Sequence, residues 1–197
     1  LLRTIGADDF ADLVERNGAG AAMRGLYLGE IDPAPIVAAC IGSHLPQAQW
    51  VERLSEMYPG EASVAVTLLL NHVVLQPGEA LHLTAGNLHG YLRGSGIELM
   101  QASDNVVRGG LTVKEVDIDL LLDVVDPTPL ARPIMDVDDG RYPLPEAGVV
   151  LVRLDPGDSH VADGHELAVS LDGTTLYLSP RTQIFADSVT FVVTTLA

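Results

Sequence analysis

The sequence predicts a mixed fold that is mainly β, with a helical segment ahead of β-rich segments. Apolar residues recur at helical spacing over much of residues 1–62. From Ser63 onward, runs rich in Val, Leu and Thr lack that spacing and favour strands. After Val149, short runs of this kind alternate with turn residues, which is typical of a small sandwich or barrel. We therefore predict a helical domain over 1–62, a β-rich segment with a following helix over 63–126 and a C-terminal β-domain over 127–197.

The helical domain has recognisable start and stop signals. Asp8 is the expected N-cap of a first helix that ends at Gly18. Asp32, followed by Pro33, has the pattern of an N-cap and first helical residue, and Gly42 closes this second helix. These signals predict two short helices joined by a loop.

A third helix is predicted to end at Pro59-Gly60. Trp50, Leu54 and Met57 lie at i, i+4 and i+7 and form one apolar face. We expect Trp50, Met57 and also Met23 to be core residues. No functional site is expected in the helical domain.

The next segment is expected to form strands over about 64–75, 79–84 and 96–102. His72 and His82 lie inside the first two and are expected to be ordinary face residues. A short helix capped by Asp117 should follow, and then a proline-rich connector. The predicted strands of the C-terminal domain are VVLVRL, HELAVSL, TTLYLSP and SVTFVVTTL, with turns at Pro156-Gly157 and Asp172-Gly173.

The composition limits the classes of partner. A hydrophobic content of 47% in 197 residues is that of a folded chain with a substantial core. The net charge of −16 argues against nucleic acid or an anionic membrane as the main partner. The lone cysteine, Cys40, excludes an internal disulfide and fits a reducing, cytoplasmic location.

Residues that can do chemistry concentrate between Ala85 and Lys114. His89 follows a predicted strand and Glu98 lies on the next one. If both side chains face one barrel interior, they form two metal ligands, or a ligand and a general acid or base. A zinc site needs three or four ligands, so a simply hydrogen-bonded histidine is the default interpretation of His89.

Arg108 and Lys114 gather positive charge beside Asn105, against the negative field of the chain. The preceding turn, Ser103-Asp104-Asn105, could hold the backbone so that Arg108 projects its donors towards an oxyanion. Solvated surface charges, or an ion pair between Asp104 and Arg108, would account for the same residues. The residue types alone favour these simpler alternatives.

As a block, residues 70–118 resemble the signature region of the type I phosphomannose isomerases (mannose-6-phosphate isomerases). The block is LNHVVLQPGEALHLTAGNLHGYLRGSGIELMQASDNVVRGGLTVKEVDI, and the string SDNVVRGGLT is its most specific part. The resemblance implies a cupin-type, jelly-roll barrel, one zinc ion and interconversion of mannose 6-phosphate and fructose 6-phosphate.

The resemblance also implies roles for individual residues. These are the zinc ligand His89, the catalytic candidates Arg108, Glu98 and Asp104, and the substrate-binding candidates Tyr91 and Lys114. Thr84 and Leu88 stand where the family usually has prolines, a difference that leaves the histidine ligand in place. The identity of the general base stays open among Glu98, Asp104 and a metal-bound water.

The family's other zinc ligands, a Gln-x-His pair and a glutamate, belong to an N-terminal half of the barrel that we do not find in this sequence. We expect the chain to begin where that half ends, and the missing half to come from the same protein. The alternative is a non-catalytic sugar-phosphate-binding or structural cupin module that another chain completes.

A second cluster of potential ligands occurs in HVADGHE, which contains His160, His165 and Glu166. Three such residues within seven resemble a metal-binding cluster. The segment also has the composition of a turn that leads into a strand. We predict a surface turn and no metal site.

Overall fold

The computed structural model of the protein describes residues 1–100 and 105–196. These residues form two compact units. The first unit contains 1–73, 84–94 and 105–131, and the second contains 74–83, 95–100 and 132–196. The domain boundaries predicted at residues 62 and 126 stay predictions. Within the described ranges, every helix is too short or too polar to cross a lipid bilayer.

The first unit is built from helices. They are α1 (Asp8–Asn17), α2 (Ala19–Tyr27), α3 (Pro33–Cys40), α4 (Pro46–Met57), α5 (Ala62–Val66) and α6 (Ile118–Val124), with 3₁₀ turns at Arg3–Ile5 and Thr67–Leu69. Their buried apolar side chains form one core. Leu26 and Val51 are almost fully buried there, at 1% and 0% exposure.

Two of the predicted N-cap residues accept hydrogen bonds from the first turns of their helices. Asp32 accepts a hydrogen bond from the Ala34 N–H (2.9 Å), and Asp117 accepts one from the Leu120 N–H (3.0 Å), so both N-caps are confirmed. Gly18 ends α1 as predicted. The prediction for Asp8 is wrong by one position, because Asp8 is the first helical residue. There its negative charge still favours the helix N-terminus.

The apolar face of α4 differs from the predicted one. Ala48, Val51 and Leu54 are its buried residues. Trp50 is half-buried, and the Arg53 guanidinium lies 5.3 Å from the centre of its ring. Met57 is the last residue of the helix and is 60% exposed, so its assignment to the core is wrong.

Met23 and Cys40 are both buried in the helical core. The prediction that Met23 is a core residue is therefore confirmed. Burial, together with the charge of Glu52, raises the pKa of the Cys40 thiol to about 11. The thiol is therefore protonated at neutral pH and donates to the Ile36 carbonyl oxygen (3.5 Å).

The predicted strand over 64–75 is wrong in its first part. Val64, Ala65 and Val66 belong to α5 and are at most 1% exposed within the helical core. Their packing overrides the β propensity of the two valines. The rest of this strand, the strand over 79–84 and the described part of the strand over 96–102 have no ladder of paired residues. Among the described residues of these three predicted strands, the β pairing consists of one isolated bridge between Leu81 and Ile134.

The second unit contains an antiparallel β-domain. Its strands are β1 (Arg141–Leu144), β2 (Val149–Leu154), β3 (Ser159–Val161), β4 (Glu166–Ser170), β5 (Thr175–Leu178), β6 (Gln183–Phe185) and β7 (Thr190–Thr195). Five of them form a sheet in the order β1-β2-β7-β4-β5, and β3 pairs with β6. The predicted strands that became β2, β4, β5 and β7 are confirmed. The short strands β1, β3 and β6 were not predicted.

The alternation of exposed and buried residues along the strands places the core of this β-domain on one face of the large sheet. Along β2 the buried residues are Val150, Val152 and Leu154. They pack with Val192 of β7 and with Ala162, the residue after β3. The mixed fold class, with helices first and a small β-domain last, is confirmed.

Candidate active site

The loop after Arg108 is attached to the helical core through its backbone. The hydroxyl of Tyr27, the last residue of α2, donates a hydrogen bond to the Gly109 carbonyl oxygen (2.5 Å). Tyr27 is half-buried. Burial and the nearby charge of Glu61 raise its pKa to about 12, so the hydroxyl keeps its proton at neutral pH.

A second attachment lies two residues further along. The Leu111 N–H donates to Glu61 Oε2 (3.1 Å) and to Ser63 Oγ (3.3 Å), and the Ser63 hydroxyl donates to the same Glu61 oxygen (2.9 Å). Leu111 has a φ of 51°, a left-handed conformation that costs a non-glycine residue about 1–3 kcal/mol. The hydrogen bonds to Glu61 and Ser63 help to hold this conformation.

The two glycines of the loop lie against neighbouring atoms. A Cβ added to Gly109 would lie 2.3 Å from Leu88 Cδ1, and one added to Gly110 would lie 2.3 Å from Ser63 Cβ. Gly110 also has a φ of 112°, which L-residues rarely adopt. Glycine at position 110 therefore permits both the backbone conformation and the close approach of Ser63.

We expect Gly110→Ala to destabilise the first unit by about 2–3 kcal/mol, because the new Cβ overlaps Ser63 and the φ is unfavourable. Urea unfolding monitored through Trp50 fluorescence measures the change. Gly90→Ala is the control, since its Cβ would meet no atom within 4 Å. Equal stability of the two variants would show that the loop yields without cost.

Arg108 lines an open depression of about 850 Å³ in the first unit. Tyr27 lies on the same lining, together with Glu115, Asp117 and Asp119. Among the described residues that line the depression, Arg108 is the one with a positively charged side chain. An anion bound here would therefore need Arg108 to offset the neighbouring carboxylates.

His89 and Tyr91 are also in the first unit, and both are exposed. Their rings meet edge to face, with centroids 6.0 Å apart. His89 Nδ1 lies 2.9 Å from the Asn87 carbonyl oxygen, which can only accept a hydrogen bond. Nδ1 is therefore the donor in this contact, which leaves Nε2 as the ring nitrogen that could bind a metal.

The remaining predicted site residues are not brought together by the described structure. Lys114 is exposed, and its backbone N–H donates to Thr112 Oγ1 (3.2 Å). Glu98 belongs to the second unit, and Asp104 lies outside the described residues. Over residues 1–100 and 105–196, no three His, Cys, Asp or Glu side chains form a group that could hold a metal ion. The roles predicted for the site residues therefore stay predictions.

The cluster in HVADGHE has a different structure from the predicted surface turn. Glu166 is 3% exposed and accepts hydrogen bonds from His160 Nε2 (2.5 Å), Thr194 Oγ1 (2.6 Å) and the Asp163 N–H (3.1 Å). Burial alone would raise the pKa of Glu166, but these hydrogen bonds outweigh burial and hold the pKa below its usual value. This cluster is a buried polar network in the β-domain.

The alternation of buried and exposed residues along a strand could have predicted that Glu166 is buried. Glu166 and Ala168 are two residues apart on β4, so their side chains point to the same, buried face of the sheet. His165 has the opposite parity and is exposed, stacked on the Tyr177 ring at 5.7 Å. In contrast, no local pattern points to Tyr27 as a partner of Gly109, because 82 residues separate them.

No protein-family model matches this chain. Curated relatives are found by direct comparison. The chain is 33% identical over 147 residues to the mannose-6-phosphate isomerase of Rattus norvegicus, which covers 66% of this chain and 34% of the relative. It is 41% identical over 103 residues to the Salmonella typhimurium enzyme of the same name, covering 49% and 26% of the two chains. The chain is therefore similar to part of the mannose-6-phosphate isomerases.

Solved structures of mannose 6-phosphate isomerases have a similar fold. Zinc-bound mannose 6-phosphate isomerase superposes with a TM-score of 0.62 at 21% identity, covering 98% of this chain and 57% of that one. The Salmonella typhimurium isomerase bound to its substrate, fructose 6-phosphate, and to zinc gives the same TM-score at 22% identity. The chain spans about a third of the length of the rat isomerase and somewhat more than half of the solved chains.

Proposed function

We propose that this chain contributes to a zinc-dependent aldose–ketose isomerase that interconverts mannose 6-phosphate and fructose 6-phosphate. The observation that carries the proposal is the 33% identity over 147 residues with the rat mannose-6-phosphate isomerase. The fold similarity to an isomerase bound to fructose 6-phosphate and zinc supports it. The chain holds part of the active site, and the remaining part lies outside its described residues.

Arg108 is the residue of this chain with the clearest chemical role. The isomerisation moves a proton between C1 and C2 of the open-chain sugar through an enediol intermediate. The substrate is negatively charged at its phosphate and develops further charge on the enediolate oxygen. The Arg108 guanidinium, on the wall of the depression, offers planar paired donors for either anion. Glu98 and Asp104 are candidates for the base that moves the proton.

The donor set of this chain does not by itself fit a zinc ion. His89 is exposed and can offer Nε2 as a ligand, but zinc requires three or four ligands. The described residues contain no group of three potential ligands. We therefore assign His89 as one ligand of a site whose other ligands are supplied from elsewhere, and we derive no catalytic step through the metal.

The same shortage of ligands favours a second function. The chain could be a non-catalytic sugar-phosphate-binding or structural module that another polypeptide completes. Such a module would bind fructose 6-phosphate through Arg108, with or without zinc, and would not isomerise it. The two functions differ in whether turnover appears once the remaining ligands are present.

An isomerase assay combined with zinc analysis separates them. Both measurements are made on the 197-residue chain and on a longer form that includes its natural upstream coding sequence. Activity in the longer form alone is expected. Zinc without activity in both forms would favour the non-catalytic module. Neither zinc nor activity in either form would contradict the isomerase proposal.

We expect His89→Ala to remove most of the bound zinc from the form that holds it. Losing a residue that only hydrogen-bonds to a metal ligand already costs about 10- to 100-fold in affinity, and losing a ligand itself should cost more. Metal analysis after dialysis measures the content. His44→Ala is the matched control, an exposed histidine of the same unit. Equal zinc content in both variants would exclude His89 as a ligand.

A further inference from the structure

The helical part of the first unit, in which the sequence suggests no site, contacts the Arg108 loop at two points. Tyr27 of α2 holds the carbonyl of Gly109, the residue directly after Arg108. Glu61, the N-cap residue of α5, holds the N–H of Leu111. The first of these two contacts therefore holds the residue directly after Arg108.

These anchors matter because the chain around Arg108 has no regular structure of its own. No helix or strand is present between Leu70 and Asp117 among the described residues. A long irregular segment loses much of its conformational freedom only through contacts such as these. An arginine on an unanchored segment would sample many positions, whereas catalysis and tight binding need one.

Tyr27 has the more direct connection to the site. Its hydroxyl contacts the loop, and the residue itself lines the same depression as Arg108. Leu88 packs against Gly109, which has no side chain to hold it away. Tyr27 therefore holds the backbone next to Arg108 in place relative to the wall of the depression. The first atoms of the Arg108 side chain are held with it.

We propose that Tyr27 is a positioning residue for Arg108, acting through the Gly109 carbonyl, with Glu61 as the second anchor of the same loop. The functional half of this inference rests on the proposed role of Arg108 in binding or converting a sugar phosphate. The structural half, that Tyr27 orders the loop, is tested separately.

The first experiment measures loop order by NMR on the 197-residue chain. In Tyr27→Phe, the Leu111 amide should exchange with solvent about tenfold faster, and the Arg108 Nε–Hε signal should show increased mobility. Amides in α3 and α4 should be unchanged. Tyr58→Phe is the matched control, because Tyr58 is half-buried in the same helical core but does not line the depression. Unchanged exchange and mobility in Tyr27→Phe would overturn the proposal.

The second experiment measures the affinity for fructose 6-phosphate of the original chain, Tyr27→Phe, Arg108→Ala and the double variant. Tyr27→Phe should weaken binding about 3- to 10-fold, the usual effect of one hydrogen bond. It should have no further effect once Arg108 is absent, because Tyr27 acts through Arg108. Additive losses would overturn the positioning role. A normal affinity in Arg108→Ala would instead contradict the proposed function, while the NMR experiment still decides whether Tyr27 orders the loop.

Discussion

Arg108→Ala is expected to lower isomerisation by about a hundredfold or more while changing the free energy of unfolding by less than about 0.5 kcal/mol. Arg108 is exposed and projects from a loop whose backbone is held by other residues. Removing its side chain therefore takes away positive charge at the depression without taking away packing. The activity of the form that isomerises, and urea unfolding of the same protein, measure the two effects.

Two further variants show whether the loss of activity depends on the position of the arginine and on the shape of its guanidinium group. Arg93→Ala removes another exposed arginine of the same irregular segment and should leave the rate nearly unchanged. Arg108→Lys keeps the charge but not the planar pair of donors, so it should recover only part of the rate. If Arg108→Ala unfolds the protein while activity per folded molecule is normal, Arg108 is a structural residue.

Glu166→Ala is expected to destabilise the second unit by about 3–5 kcal/mol, because three hydrogen-bond donors lose their acceptor and each buried unsatisfied donor costs about 1–3 kcal/mol. The carboxylate connects β3 through His160 with β7 through Thr194. Its loss leaves the His160 ring and the Thr194 hydroxyl without their acceptor inside the β-domain. Denaturant unfolding of the β-domain, monitored by circular dichroism, measures the change.

Glu146→Ala is the matched control, because Glu146 lies in the same unit but its side chain is 69% exposed. Its 3.8 Å contact with His82 should be worth less than about 1 kcal/mol. Equal stability of the two variants would mean that the Glu166 network contributes no more than a surface pair.

Acid provides a second measurement on Glu166. Its pKa is lower in the folded state than the usual 4.5, so its contribution to stability is fully present above that value. The contribution is lost as the pH falls through the folded pKa, because the unfolded chain takes up the proton first. The stability difference between the original chain and Glu166→Gln should therefore shrink below about pH 4.5. A difference that is constant from about pH 7 to about pH 3 would contradict the role of the charge.

Local signals in the sequence were sufficient where a short segment decides its own structure. Asp32 and Asp117 cap their helices through N–H groups two or three residues away. The alternating strands of the β-domain form because each has a neighbouring strand to pair with. The block that contains His89 and Arg108 was also sufficient to indicate a resemblance to the mannose-6-phosphate isomerases, which the sequence comparisons confirm.

The tertiary structure alone decided features that depend on partners distant in the chain. Val64 and Val66 became helical because the helical core buries them. Glu166 became a buried hydrogen-bond acceptor because β3 and β7 bring His160 and Thr194 to it. Tyr27 reaches Gly109 across 82 residues, a contact for which there is no local pattern. Sequence therefore determined two of the helix caps, four strands of the β-domain, the resemblance to the isomerases and Arg108 as a candidate residue. Long-range packing decided which residues hold the loop at Arg108 in place.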